Sequence, residues 1–363
     1  MKNQIFELFG FRTDDQSEIA EYHRRNCICP FYDRTCDGGG NRYQSFVSAQ
    51  KAKAEGIDNY FDVSLKDYPP GICSLTVKDK NWVVCPRRLF SFDGDHSSGE
   101  HFDYINRLIY NYCDIQKNNS FAVWSEVKVK YTEKGDVFDK SFDYTFDYIV
   151  AEVGPKPLLE VKREVGVSEK RLRSHCEKEG ITLSRRNGVD YVEYYPLGKL
   201  HIIEVMTSST SGGNKKKGNT IQQSFIDAIK GTIHESPGIN YRQVWARMVS
   251  QLIVKSQIGR HWGSNTLWIL QDLLTDYISL STNLNLHKLI SDVPKGVNLV
   301  SISYSDEVDN LGCLKMKENH LYSGEVPTSD SDTDFNKLLQ ASIIPDEIVV
   351  KNKVALKKPI VVI

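Results

Sequence analysis

No stretch of this 363-residue chain comes near the roughly 20 consecutive apolar residues that span a bilayer. The opening Met1-Lys2-Asn3-Gln4 has none of the hydrophobic character of a secretory signal. Membrane insertion and secretion are both disfavoured, and the cytoplasm is the expected compartment. Net charge is lacking too: 46 Lys and Arg meet 47 Asp and Glu, and the resulting −1 gives no global pull toward a polyanion. No internal repeat is visible, which removes solenoids and propellers. The one Gly/Lys-rich loop, Ser211-Gly212-Gly213-Asn214-Lys215-Lys216-Lys217-Gly218, lacks the G-x4-G-K-[ST] order of a phosphate-cradling loop. It reads as a contact to a nucleic-acid backbone through Lys215, Lys216 and Lys217. The 40% hydrophobic and 26% charged residues are the proportions of a globular protein, long enough for two or three cores.

The balanced charge is unevenly placed. From Lys199 to Gln271 there are nine Lys/Arg against three Asp/Glu, and from Lys156 to Arg186 nine against five. The acids collect between Glu325 and Asp334. A basic middle with an acidic tail suits a working face that meets phosphate.

Four of the eight cysteines, Cys29, Cys36, Cys73 and Cys85, lie in the first quarter, two of them before proline in Cys29-Pro30-Phe31 and Val84-Cys85-Pro86-Arg87. A cytoplasmic chain does not build structural disulfides, and a Cys before Pro, or beside Gly71 or Trp82, is poorly placed as ordinary core. The spacing C-x6-C-x36-C-x11-C matches no short zinc-finger signature, but four thiolates can hold zinc or iron tetrahedrally. Cys27 could take the place of Cys29. Cys113, Cys176 and Cys313 read as buried, unpaired thiols.

The chain divides into a loop-rich Cys module (1–95), an α/β core (96–300) interrupted by an insert (156–196), and a C-terminal extension (301–363). A short helix is expected over Tyr43 to Lys53 and another around Tyr104 to Tyr112. Phe121 to Tyr131 alternates as a strand, turns at Glu133-Lys134-Gly135-Asp136, and resumes through Phe142 to Val153. Further strands are Leu200 to Met206, Thr266 to Leu270 and Leu299 to Ser303. A helix from Tyr241 to Ile258 has Val244, Trp245, Met248, Val249, Leu252 and Ile253 on one face, with Arg242, Arg247 and Lys255 largely off it and Gly259 as its stop.

The insert reads as a winged helix-turn-helix. A helix over Leu158 to Val165, a turn at Gly166-Val167-Ser168 and a second helix capped by Ser168 give the order of that motif. Lys170, Arg171, Arg173 and Ser174 would then face a major groove or its phosphates. The Asn187-Gly188 turn makes a hairpin tipped by Arg185 and Arg186, a wing. Asp147 followed by Glu160-Val161-Lys162 fits the D-x12-E-x-K pattern of metal-dependent nucleases, but on a helix residues i and i+2 are about 200° apart, so Glu160 and Lys162 cannot share a face.

A better site joins Asp147, in Phe146-Asp147-Tyr148, with Glu204, near the end of the apolar strand Leu200 to Met206. Two carboxylates on adjacent strands make an oxygen-rich site for Mg²⁺, and Glu126 on the preceding strand could complete it.

The phrases Glu7-Leu8-Phe9-Gly10-Phe11-Arg12, Cys29-Pro30-Phe31, Trp82-Val83-Val84-Cys85-Pro86-Arg87, Phe146-Asp147-Tyr148 leading to Ala151-Glu152-Val153, and Ile203-Glu204-Val205-Met206-Thr207 stand here in the order found in NotI-like type II restriction endonucleases. Over residues 5 to 275 the chain resembles that family. The resemblance implies a PD-(D/E)XK nuclease core, a mixed sheet flanked by helices, behind a domain whose four cysteines hold a structural iron. It implies a bacterial homodimer that hydrolyses double-stranded DNA at a palindromic, GC-rich site with Mg²⁺, leaving 5′ phosphates. A cognate methyltransferase would act on the same site without direct contact. Asp147 and Glu204 would be the metal-binding carboxylates. Where the family has Gln and the wider superfamily often Lys, this chain has Met206, whose thioether has no proton to donate and is at best a weak acceptor. That task would fall to Lys215 or another residue of its loop. The rival expectation is a non-catalytic winged-helix DNA-binding regulator with a four-cysteine metal site, which accommodates Met206 without strain but leaves three strand carboxylates unexplained.

Overall fold

The computed structural model describes residues 2–39, 45–92, 100–113, 115–116, 119–133, 140–211, 213–214, 216, 218–282, 285–325 and 344–363. Strands β1 (Gln4–Leu8) and β2 (Phe11–Arg12) turn at Gly10, whose φ of 85° favours glycine and where a β carbon would lie 2.4 Å from Pro30 Cγ. Helix α1 (Glu18–Arg25) starts where the Ser17 side chain accepts from Ala20 N, with Glu18 and Glu21 in its first turn and three basic residues in its last. A two-stranded hairpin, β3 (Ile28–Cys29) and β4 (Arg34–Thr35), is followed by β5 (Val47–Ser48), helix α2 (Ala49–Ala54) and β6 (Asp67–Tyr68). The helix expected over Tyr43 to Lys53 is thus shorter and later, because Ser48 caps it; residues 43 and 44 lie outside the described residues. Strands β7 (Ile72–Val77) and β8 (Lys80–Val83) complete a sheet of order β2-β1-β7-β8, and the short α3 (Pro86–Leu89) leads out.

Helix α4 (Glu100–Tyr112) precedes β9 (Phe121–Glu133) and β10 (Lys140–Pro157), an antiparallel pair in register from Phe121↔Glu152 to Glu133↔Lys140. The insert is α5 (Leu158–Val165), α6 (Glu169–Glu179), β11 (Leu183–Arg186) and β12 (Val189–Pro196). Gly166 and Gly180 end its helices in the left-handed conformation, Ser168 caps α6, and Asn187 and Gly188 both take positive φ, as a two-residue hairpin turn demands. The rest of the chain is β13 (His201–Met206), α7 (Ile221–Ile229), α8 (Tyr241–His261), β14 (Thr266–Gln271), α9 (Asp272–Thr282), β15 (Val297–Val308), β16 (Leu314–Gly324), α10 (Glu347–Ala355) and β17 (Val361–Val362).

The fold is mixed α/β. Among the described residues nine strands make one mixed sheet: β13, β14 and β15 run parallel through helical crossovers, while β9, β10, β11, β12, β16 and β17 add antiparallel neighbours. Helices cover both faces. On one, Ile105, Leu108 and Ile109 of α4 pack with Val123, Val150, Ile203, Ile269 and Val300. On the other, Met248 of α8 meets Trp268 and Leu270, and Ile258 meets Trp124, Ile149 and Ile202. Each such fully buried side chain contributes about 1.5–3 kcal/mol of transfer free energy.

Helix α8 departs from its expected form in two ways. Gly259 does not stop it: the helix runs to His261 and Gly263, at φ 66°, follows its cap, while Gly259 lets the helix approach β14, since a β carbon there would lie 2.7 Å from Thr266 Cγ2. And Lys255 does not lie off the buried face. It is 7% exposed, in line with Met248, Leu252 and Ile258, whereas Arg242 and Arg247 are exposed as expected. The reason is a charge waiting beneath it.

The Cys module is fastened to the sheet by a buried ion pair. Arg88 Nε lies 3.1 Å from both oxygens of Glu7, Ser74 and Tyr304 hydroxyls donate to Glu7 at 2.8 and 2.7 Å, and Arg88 Nη2 donates to the Leu314 carbonyl at 2.5 Å. Both charged side chains are essentially inaccessible.

Candidate active site

Strands β9 and β10 lose step with their pleat at one place. The core beneath α8 takes Trp124 and Val127, and likewise Phe146 and Ile149, residues three apart where strict alternation would give two or four. The extra positions hold Glu126, at φ 47°, and Asp147, opposite each other in a register that otherwise pairs Phe146 with Val127 and Tyr148 with Ser125. Lys357 donates to the main-chain carbonyls of Ser125 and Glu126, holding the irregularity from outside.

The β10–β13 ladder runs from Val150↔His201 to Tyr148↔Ile203, so the next rung is Asp147 and Glu204. There side chains replace the ladder. Asp147 N donates to Glu204 Oε1 at 3.3 Å, and Val205 N donates to Asp147 Oδ2 at 3.0 Å. Glu126, Asp147 and Glu204 therefore stand in one row across three neighbouring strands, as their sequence positions suggested. Glu126 is exposed, Asp147 half-buried and Glu204 only 1% exposed.

Lys255 is the residue that sequence reasoning missed. Its Nζ lies 2.5 Å from Glu204 Oε2, and the lysine side chain is 8% exposed. Burial, and after it the charge of Asp147, push the Glu204 carboxyl up to about 8, while Lys255 and the Asp147 amide pull it back. Met206, two residues beyond Glu204, packs against the apolar cluster of Val244, Met248 and Leu270. Helix α8 thus covers that side of β13 with carbon at Met206 and with an ammonium at Glu204. A polar residue among apolar ones at positions 248, 252, 255 and 258 was the available signal.

Asp147 and Glu126 open into a cleft of about 1170 Å³. The sheet side contributes Ser125, Tyr148, Val205 and Thr207; the Cys module contributes Tyr32, Arg34, Cys36 and Arg87; the tail contributes Lys358.

Cys29, Cys36, Cys73 and Cys85 converge beside this cleft. Cys73 and Cys85 share a hydrogen bond, Cys29 feels the charge of Cys36 and Cys85, and Cys36 feels that of Cys85 and Cys27. Three sulfurs accept a main-chain N–H from two residues on: Cys29 from Phe31, Cys36 from Gly38 at 3.4 Å, and Cys85 from Arg87, with Arg88 also donating. Burial pushes Cys29 up and Cys36 up to about 12; the bond between Cys73 and Cys85 raises the former and lowers the latter. No trio of His, Cys, Asp or Glu among the described residues already stands in a metal-holding arrangement. The donor chemistry nonetheless fits a thiolate-bound metal, since N–H bonds to sulfur favour the charged form. Cys27 packs with Val47 and Ile57, Cys29 packs with Cys73 and Cys85, and Cys36 borders both groups. Cys113, Cys176 and Cys313 are buried and, like the other five cysteines, in no disulfide, and Cys313 packs in the cluster that holds Cys29, Cys73 and Cys85.

The insert presents Lys170, Arg171 and Ser174 to solvent. Arg173 is tied to Glu169 at 2.7 Å and Asp190 at 2.5 Å, and Arg186 to Glu193 at 2.7 Å, so these two brace the β11–β12 hairpin against the helix and against itself. Arg185 is exposed, 3.8 Å from Asp190. Glu160 and Lys162 lie on α5, where they cannot join Asp147 in a strand triad. Lys216 is exposed; Lys215 and Lys217 lie outside the described residues. No helix of the described residues is long and apolar enough to cross a membrane. No protein-family model matches the chain, and no curated protein sequence matches it.

Proposed function

We propose that this chain is a Mg²⁺-dependent endonuclease with a PD-(D/E)XK core, acting as a homodimer on a palindromic, GC-rich site in duplex DNA in the manner of the NotI-like restriction enzymes it resembles. One observation carries the reading: Asp147, which lines an open cleft, shares a rung with the buried Glu204, on which sits a buried ammonium, Lys255. Lys255 takes the part that Met206 cannot. This removes the principal reason for preferring a non-catalytic regulator.

Asp147 and Glu204 would hold Mg²⁺, which supplies charge neutralisation at the phosphate and a more acidic water. Glu204 and Asp147 brace each other through main-chain amides, so their oxygens are fixed before substrate arrives. Lys255 holds the Glu204 carboxylate and supplies the positive charge and proton donor that this rung otherwise lacks. Water adds to phosphorus in line as the P–O3′ bond breaks; the 3′ oxygen leaves as a hydroxyl and the phosphate stays on the 5′ end. Cys29, Cys36, Cys73 and Cys85 would hold a structural iron or zinc that braces the cleft wall rather than doing chemistry. The exposed Lys170 and Arg171 would lie against the duplex.

The test is incubation of the purified protein with a large, sequence-diverse duplex DNA in Mg²⁺ and in EDTA, with sequencing of the fragment ends. Discrete Mg²⁺-dependent ends sharing one palindrome are expected, and Asp147→Asn should remove them while DNA binding persists. Ends that persist unchanged in Asp147→Asn would place the chemistry elsewhere.

A further inference from the structure

The cleft sorts its charges. The carboxylates Glu126 and Asp147 belong to the sheet, while the Cys module brings the guanidiniums Arg34 and Arg87 with one carboxylate, Asp37, and the tail brings Lys358. Both guanidiniums lie against one ring, that of Tyr32: Arg87 at 3.9 Å from its centroid and Arg34 at 5.2 Å. Arg87 is also paired with Asp37 at 2.7 Å. The Arg34 side chain is exposed and makes no hydrogen bond or ion pair among the described residues. Asp37 therefore offsets one of the two positive charges, and one is left over.

Stacking engages the face of a guanidinium and leaves its N–H edge for an acceptor, the fork that suits a phosphate. The mounting is firm. Tyr32 sits in the loop between β3 and β4, where Tyr32 N and Asp33 N both donate to the Cys29 carbonyl, at 3.3 and 2.8 Å. Cys29 pairs with Arg34 beside the turn and Cys36 follows Thr35 at the open end, so the thiol cluster fixes the hairpin that carries Tyr32 and Arg34. Exposed arginines add little stability, and a polyanion entering beside Glu126 and Asp147 needs opposite charge close at hand.

We propose that Tyr32, Arg34 and Arg87 form a grip for the phosphate backbone of duplex DNA on the Cys-module wall of the cleft. This assignment rests on the nuclease reading for its ligand, and its test can fail separately.

The experiment is fluorescence anisotropy of a labelled, mixed-sequence duplex titrated with the full chain in EDTA over a series of salt concentrations. Arg34→Glu should weaken binding about tenfold at low salt and lower the slope of log K against log salt by about one, the loss of one phosphate contact. Tyr32→Ala, which unseats both guanidiniums, should weaken binding likewise, and Lys288→Glu, the same charge change at an exposed residue outside the cleft lining, should have a smaller effect. Wild-type binding that Arg34→Glu leaves unaltered, or that Lys288→Glu weakens equally, overturns the grip alone. A wild type that binds no duplex overturns the grip and the nuclease reading together. Binding lost in Arg34→Glu by a protein that never cuts DNA sustains the grip and removes the nuclease.

Discussion

Among the described residues two carboxylates are buried deep, each with a cation, and they differ in how completely they are satisfied. Glu7 takes both its oxygens to Arg88 and adds the hydroxyls of Ser74 and Tyr304. Glu204 has one main-chain amide on Oε1 and one ammonium on Oε2, with the like-charged Asp147, which lines the cleft, alongside. The first is a closed network in which nothing further can bind. The second is an arrangement whose remaining demand is for positive charge, which is what a divalent cation supplies. Burial alone does not distinguish a structural acid from a reactive one; the number of donors it already has does.

The comparison can be broken at several points. The largest effect is expected at Arg88→Met, which leaves Glu7 buried without its cation. Stability should fall by about 3–5 kcal/mol, read as a loss of melting temperature with or without metal. Next comes Asp147→Asn, for which Mg²⁺-dependent cleavage should fall about 100-fold or more while the melting temperature stays within a few degrees, because the like charge beside Glu204 is removed. A large loss of stability there would make Asp147 a structural acid of the Glu7 kind.

Lys255→Met should lower cleavage by about 100-fold, and in EDTA its stability cost should depend on pH. The folded Glu204 carboxyl is pushed up to about 8, above the value of about 4.5 for an unfolded glutamate, so its contribution to stability declines as pH rises through that window. Without Lys255 the folded carboxyl holds its proton to still higher pH. The penalty relative to wild type is therefore small near neutrality and grows above pH 8, whereas Arg88→Met should be costly throughout. Urea titrations at several pH values would check the contrast. The smallest effects belong to the insert: Lys170→Ala with Arg171→Ala should weaken DNA binding a few-fold and reduce its salt dependence, and Arg173→Ala, whose side chain is already committed to Glu169 and Asp190, should do less.

The row of acids was legible because strand residues have a fixed period: Glu126, Asp147 and Glu204 each interrupt an apolar alternation, and antiparallel pairing brings them together. The two helices and the hairpin of the insert were legible for a similar reason, since Ser168, Gly166 and the Asn187-Gly188 turn act locally. Lys255 was not. Its place depends on how far α8 is rotated and how deeply it sits, and that is decided by Thr266 approaching Gly259 and by Trp268 meeting Met248, contacts between elements. Arg34 and Tyr32 were equally hidden, because a two-residue strand such as β4 leaves no periodic trace.

The fastening at Glu7 has a consequence for how the chain reaches its folded state. The hydroxyl of Tyr304 that completes this network comes from 297 residues along the chain. Closing so long a loop is entropically slow to be rewarded, and contacts of this range belong to the late part of a folding reaction. Until β15 arrives, Arg88 and Glu7 lack their Tyr304 and Leu314 partners, so residues 1–95 expressed as a fragment should be insoluble or molten. Refolding from denaturant should therefore show the thiol cluster and the cleft forming in the same slow phase.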